Sequence, residues 1–160
     1  MRVFLILILA TSLTTPGVAV AGPAEDYRDA EAAVSRSDYA TAVRLFHRAA
    51  EQGHVEAQME LADIYFSGGM RVPEDKAASA KWYLRAAELG NAMAQGNIGL
   101  AYWYGKGVPK DEVMGLMWLN LAVAHGLKGA AERRDNLARE MTAAQVAEAQ
   151  KLADEWKPKR

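Results

Sequence analysis

A short phrase occurs three times in this chain, and its spacing constrains the fold more than any other feature. Ala49-Ala50-Glu51-Gln52-Gly53 returns as Ala86-Ala87-Glu88-Leu89-Gly90 and, in weaker form, as Ala122-Val123-Ala124-His125-Gly126; the closing glycines lie 37 and then 36 residues apart. Other residues keep the interval to within one position: Ala57-Gln58 and Ala94-Gln95, Tyr65 and Tyr102, Val72-Pro73 and Val108-Pro109, Trp82 and Trp118. A period of this length marks a helical repeat array, in which each unit is too small to bury its own apolar face and leans on its neighbours. Such a scaffold binds something, and the repeat itself does not say what.

Within a unit the residue types specify two helices and a break. Ala94, Gln95, Ile98, Gly99 and Tyr102 share one face of a helix, as do Ala57, Gln58, Leu61, Ala62 and Tyr65 one unit earlier. The small residues Ala62 and Gly99 allow a neighbouring helix to approach closely, and the tyrosines fill the wider gap beyond. Gly105-Lys106-Gly107-Val108-Pro109 ends the helix, because glycine tolerates positive φ and proline cannot continue the hydrogen-bond ladder. Asp75 and Asp111 are placed to cap the following helices. The second helix carries Ala80, Tyr83, Ala86 and Ala87, and Gly90 closes it.

These residues resemble the Sel1-like repeat, a relative of the tetratricopeptide repeat. The family pattern runs Ala-Gln, Leu-Gly, Tyr, Gly-x-Gly-Val, Asp, Ala, Trp-Tyr, Ala-Ala-Glu and Gly. Here it reads Ala94-Gln95, Ile98-Gly99, Tyr102, Gly105, Gly107-Val108 and Asp111, with the second half at Ala80, Trp82-Tyr83, Ala86-Ala87-Glu88 and Gly90. The match covers residues 38 to 126 well and the remainder loosely. The loop Gly68-Gly69-Met70-Arg71-Val72-Pro73 has one residue more than its counterpart, and Arg134-Asp135 replaces the Ile-Gly step in the last unit, as expected of a degenerate cap. The resemblance implies an all-α, right-handed superhelical solenoid of about four antiparallel helix pairs. We place the pairs at about 24–52, 54–89, 91–125 and 127–157. Thr142-Ala143-Ala144-Gln145 reads as a capping box, and Val146, Ala149, Leu152, Ala153 and Trp156 form one face that seals the stack. Lys157, Lys159 and Arg160 are expected to form a solvated tail.

The N-terminus is a different object. Arg2 precedes an apolar run from Val3 to Leu13, followed by Pro16-Gly17 and the small-residue triplet Ala19-Val20-Ala21. This is the order of a secretory signal peptide, residues 1–21, with cleavage after Ala21. The apolar run falls well short of the roughly 20 residues that span a bilayer, so no stable membrane anchor is expected. Residues 22–160 then form the mature solenoid, periplasmic or secreted. Loss of Arg2 moves the net charge from −1 to −2, a balance that argues against nucleic acid as a partner. The chain has no cysteine, which excludes disulfides and thiolate metal sites, so the core alone holds the fold.

Catalytic and metal chemistry find little footing. His47, His54 and His125 lack ligand spacing, and the latter two flank helix-ending glycines, as surface residues at turns do. Glu56, Glu60 and Asp63 form a carboxylate row that reads as a solvated helix face rather than a metal site. Gly105-Lys106-Gly107 lacks the Lys-Ser/Thr of a phosphate loop. Cysteine-rich members of the family have been credited with β-lactamase activity, so the resemblance makes a cell-envelope hydrolase the alternative reading. Ser35, Ser37, Ser67 and Ser79 are the serines after the signal, and none begins a Ser-x-x-Lys motif. No enzyme, cofactor or metal is therefore expected.

The reading that remains is a non-catalytic scaffold that binds an unidentified protein or peptide. In the related tetratricopeptide geometry the first helix of each pair lines the concave face. That places Met59, Phe66, Met93, Leu100 and Trp103 along the groove, with Gly96 beside them and acids such as Glu56 and Asp63 on one border. The same side chains at helical spacing also suit gap-filling between helices, and the sequence leaves that open. Trp82 and Trp118 stand at a repeat consensus position and read as packing residues. Self-association through the repeat ends is a third possibility.

Overall fold

A computed structural model describes residues 22–159; the expected signal peptide and Arg160 lie outside the described residues. Among the described residues eight helices follow one another, the first six in antiparallel pairs: α1 (Pro23–Ser35) with α2 (Tyr39–Glu51), α3 (Val55–Ser67) with α4 (Lys76–Glu88), and α5 (Ala92–Tyr104) with α6 (Glu112–Ala124); α7 (Ala130–Glu140) and α8 (Ala143–Glu155), expected as a fourth pair, do not pack on each other. No strand occurs among the described residues. Each helix packs on the next in chain order through α6, and α7 and α8 both close on α6. The result is a helical solenoid.

Local chemistry sets the helix boundaries. Asp38, Asp75 and Asp111 accept backbone N–H groups at the starts of α2, α4 and α6, and Asn91 accepts the Ala94 N–H at 2.9 Å to open α5. His54 takes the same post on α3, its Nδ1 accepting from the Ala57 N–H at 3.3 Å, so it does more than decorate a turn. Thr142 and Gln145 complete the capping box on α8. Gly68 and Gly105 end α3 and α5 in the left-handed region, at φ 73° and 66°. The extra residue of the α3–α4 loop is absorbed by Met70 and Arg71, both left-handed although neither is glycine.

Interhelical contact is closest where the repeat carries its smallest residues. A Cβ on Gly99 would lie 3.0 Å from Leu119 Cγ and 3.1 Å from the Gly115 carbonyl oxygen, so α5 and α6 touch backbone to backbone. Gly99→Leu should cost ~1–3 kcal/mol in chemical denaturation, because this seam has no room for a side chain. Loss of less than a few tenths would mean the helices do not meet there. Gly96, expected beside the groove, is instead buried: a Cβ there would sit 2.5 Å from Leu127 Cδ2, on the loop after α6.

Polar bonds lock one pair to the next. The buried amides of Gln58 and Gln95 donate from Nε2 to the carbonyls of Ala50 and Ala87, at 3.0 and 3.2 Å. In each case the first helix of a pair is tied to the last turn of the helix before it. Gln95 Oε1, which can only accept, takes a bond of 2.8 Å from His125 Nδ1. At the far end Trp156 packs edge-on against Trp118, with centroids 6.1 Å apart, and seals α8 onto α6. The C-terminal tail is not simply solvated as expected. The Lys159 backbone N–H donates to the Glu88 carbonyl at 2.8 Å and its Nζ pairs with the Glu88 carboxylate at 2.7 Å, so the tail folds back over the end of α4.

Candidate functional site

Two helix faces with the same spacing meet around a cavity. On α4, Lys76, Ser79, Ala80 and Tyr83 fall at i, i+3, i+4 and i+7; on α5, Asn97, Leu100, Ala101 and Tyr104 do the same. Phe66, from the last turn of α3, and Lys106, from the loop after α5, close the sides of a pocket of about 200 Å³. Phe66 is 45% exposed and Tyr104 57% exposed, so aromatic surface stands open on both flanks.

Each flanking aromatic ring carries an ammonium group. Lys76 Nζ lies 3.7 Å from the Phe66 ring centroid, and Lys106 Nζ lies 5.5 Å from that of Tyr104. Lys76 also donates to the Phe66 carbonyl and pairs with Glu74 at 3.2 Å. No carboxylate pairs with Lys106 among the described residues. Behind them Tyr83 donates its hydroxyl to Asp63, and burial, then that neighbouring carboxylate, push the phenol well above its usual value. Tyr83 is thus a neutral wall, and Asp63 is an exposed carboxylate behind it. The charged side chains that line the pocket itself are Lys76 and Lys106. Ser79 is buried, and its Oγ has no hydrogen-bond partner.

The five residues expected in the groove separate. Phe66 and Leu100 come together at the pocket. Met93 is exposed but stands apart from it, and Met59 is partly buried against the core. Trp103 is a correction: it is 7% exposed, its Nε1 donates to Glu140 of α7 at 3.2 Å, and its ring stacks on Tyr104. It occupies the penultimate position of α5, as Phe66 does of α3, but α7 closes over it. Trp82 and Trp118 are buried, as packing residues should be. Sequence reasoning missed Lys76, Lys106 and Tyr104, although the stripe Asn97-Leu100-Ala101-Tyr104 was there to be read.

Neither serine near the pocket is paired with a base. Ser79 Oγ meets no base, and Ser67 Oγ donates to the carbonyl of Asp63 at 2.9 Å.

The family model described as Sel1 repeat matches residues 28–54, 55–91 and 92–127. The chain belongs to the Sel1 repeat family. Among solved structures, this Sel1 chain is similar to c5321, a protective antigen of uropathogenic Escherichia coli with an SLR fold, at TM-score 0.75 and 27% identity, covering 84% of this chain and 29% of that one. It is also similar to a Sel1 repeat protein from Oxalobacter formigenes, at TM-score 0.67 and 30% identity, covering 71% of this chain and 88% of the other. Among curated proteins it is 36% identical over 90 residues to the chitin synthase regulator SKT5 of Saccharomyces cerevisiae. It is 32% identical over 87 residues to chitin synthase regulatory factor 3 of Schizosaccharomyces pombe. These matches take in 54% and 52% of this chain but only 13% and 9% of the relatives' lengths. A repeat array shared with regulators points to a protein-interaction scaffold.

Proposed function

We propose that this Sel1 repeat chain is a non-catalytic adaptor of the periplasm or cell envelope that holds a partner protein or peptide at the Phe66–Tyr104 pocket. One observation carries the reading. The large apolar side chains exposed among the described residues are Phe66, Met93 and Tyr104, and two of these three border the same cavity. In an array that otherwise covers its aromatics, an apolar patch with a polar rim is what an interface looks like before its partner arrives. The regulator relatives support the scaffold part of the reading, and Arg2, the run from Val3 to Leu13 and Ala19-Val20-Ala21 support export.

A photo-cross-linking amino acid at Phe66, introduced in the chain's own host cells, tests both parts. Irradiation should join a protein partner to the Phe66 position and not to Lys81, an exposed control residue on α4. The uncross-linked protein from the same purification should have the mass of a chain beginning at Gly22. Adducts from Lys81 alone would remove the pocket as the docking face, and a mass that includes Met1 would remove export.

A further inference from the structure

Resting on the scaffold reading, we infer that the pocket takes an acidic peptide segment: one apolar side chain enters between Phe66 and Tyr104 while an adjacent carboxylate meets Lys106 and Lys76. Size decides the first half. Sites for drug-sized ligands or cofactors occupy roughly 300–1,000 Å³, whereas this cavity has about 200 Å³, room for one side chain and not for a cofactor. Its walls, Leu100 and the two aromatic faces, are apolar.

Charge decides the second half. Two lysines line the pocket, and the nearby carboxylates stand outside it, Asp63 behind Tyr83 and Glu74 on Lys76. Lys76 is already shared with Glu74, which leaves Lys106 as the cation whose charge the described residues do not neutralise. Both ammonium groups lie beside aromatic rings, where an entering apolar group displaces water from around them and strengthens any ion pair they make. A basic segment would meet repulsion from both lysines, and a neutral one would desolvate them without return.

The test uses fluorescein-labelled heptapeptides and the mature protein, read by anisotropy. The acidic probe is Ser-Gly-Asp-Leu-Glu-Gly-Ser. The others replace its two acids by amides, replace them by lysines, or replace its leucine by glycine. The acidic probe should bind more tightly than the amide probe, and its advantage should shrink as salt rises. Lys106→Glu should weaken acidic-probe binding by about three- to fivefold while improving binding of the lysine probe. Phe66→Ala should weaken the acidic probe, and loss of its leucine should abolish binding. Melting curves establish that each variant is folded, which exposed Lys106 should permit.

Equal binding of acidic and amide probes, no binding of the acidic probe, or a Lys106→Glu variant with unchanged preference would each overturn the acidic occupant. The scaffold reading fails separately, through the Phe66 cross-link. An adduct formed in cells beside charge-indifferent peptide binding would keep the docking face and discard the acidic segment.

Discussion

Trp103→Ala should lower the stability of the solenoid by about 3–5 kcal/mol, the cost of truncating a large buried aromatic side chain. Phe66→Ala, at the corresponding position one repeat earlier, should leave its melting temperature nearly in place. The two residues are penultimate in their helices and 37 positions apart, yet Trp103 is 7% exposed and Phe66 is 45% exposed. Trp103 has its indole N–H on Glu140 and its ring on Tyr104, so truncation opens a cavity and orphans a carboxylate contact. Phe66 has as its specific contact the ammonium group of Lys76, an exposed cation–π pair of about 0.5–1 kcal/mol. Denaturant melts of the two variants give the comparison, and the cross-link at position 66 in an otherwise unaltered chain gives the separate functional readout. Equal destabilisation would show that Phe66 is a packing residue and would remove the proposed docking face.

This pair also shows how far the sequence can be read. The caps at Asp75 and Asp111 and the αL glycines follow from a residue's own helix or its immediate turn, and the Gly99 seam joins the two helices of one repeat. Those features are local, and they were legible. What distinguishes Phe66 from Trp103 is not local, because it depends on which element covers the residue. A Cβ on Gly115 would lie 3.2 Å from Trp103 N and 3.3 Å from Leu137 Cδ2, so Leu137 of α7 reaches the seam beside Trp103. One unit earlier the counterpart of Gly115 is Ser79, which lines the open pocket.

Gly96 was misplaced for the same kind of reason, since its cover is Leu127, a loop residue with no periodic signature. Tyr104 could be read from its stripe on α5, but nothing joined it to Lys76 at the start of one helix or Lys106 in a loop. Tyr83 was legible only as part of a core stripe. It is both a core residue and a pocket wall, and periodicity cannot separate the two roles.

The second large effect is expected at the opposite end of the array. Arg48→Met should cost about 3 kcal/mol at neutral pH, toward the low end for a broken buried ion pair. Asp26 is fully buried on α1, and it accepts a forked pair of hydrogen bonds from the Arg48 guanidinium on α2 and a longer one of 3.4 Å from Gln52. Methionine keeps most of the Arg48 stem but leaves the carboxylate without its cation. The low end applies because 43% of the Arg48 side chain is exposed, so water stands near enough to replace part of what is lost. Asp26→Ala should cost less, since the arginine left behind can turn to solvent, and adding it to Arg48→Met should recover stability.

The pH dependence separates this account from simple loss of packing. The Arg48 hydrogen bonds hold the Asp26 carboxyl below its ordinary value of 3.8, against the opposing effect of burial. A depressed native value means that the pair's contribution is full above the unfolded value and is lost as pH falls through the native one. In Arg48→Met only Gln52 and Arg44 still oppose burial, so the carboxyl moves up from where Arg48 held it, and acid neutralises the stranded charge and relieves the variant. The stability gap between wild type and Arg48→Met should therefore narrow as pH falls from neutrality and be smallest once Asp26 is protonated in both. Denaturant midpoints measured from pH 7 down to pH 3 give the result, and a gap that stays constant over that range would assign the loss to packing rather than to the buried charge.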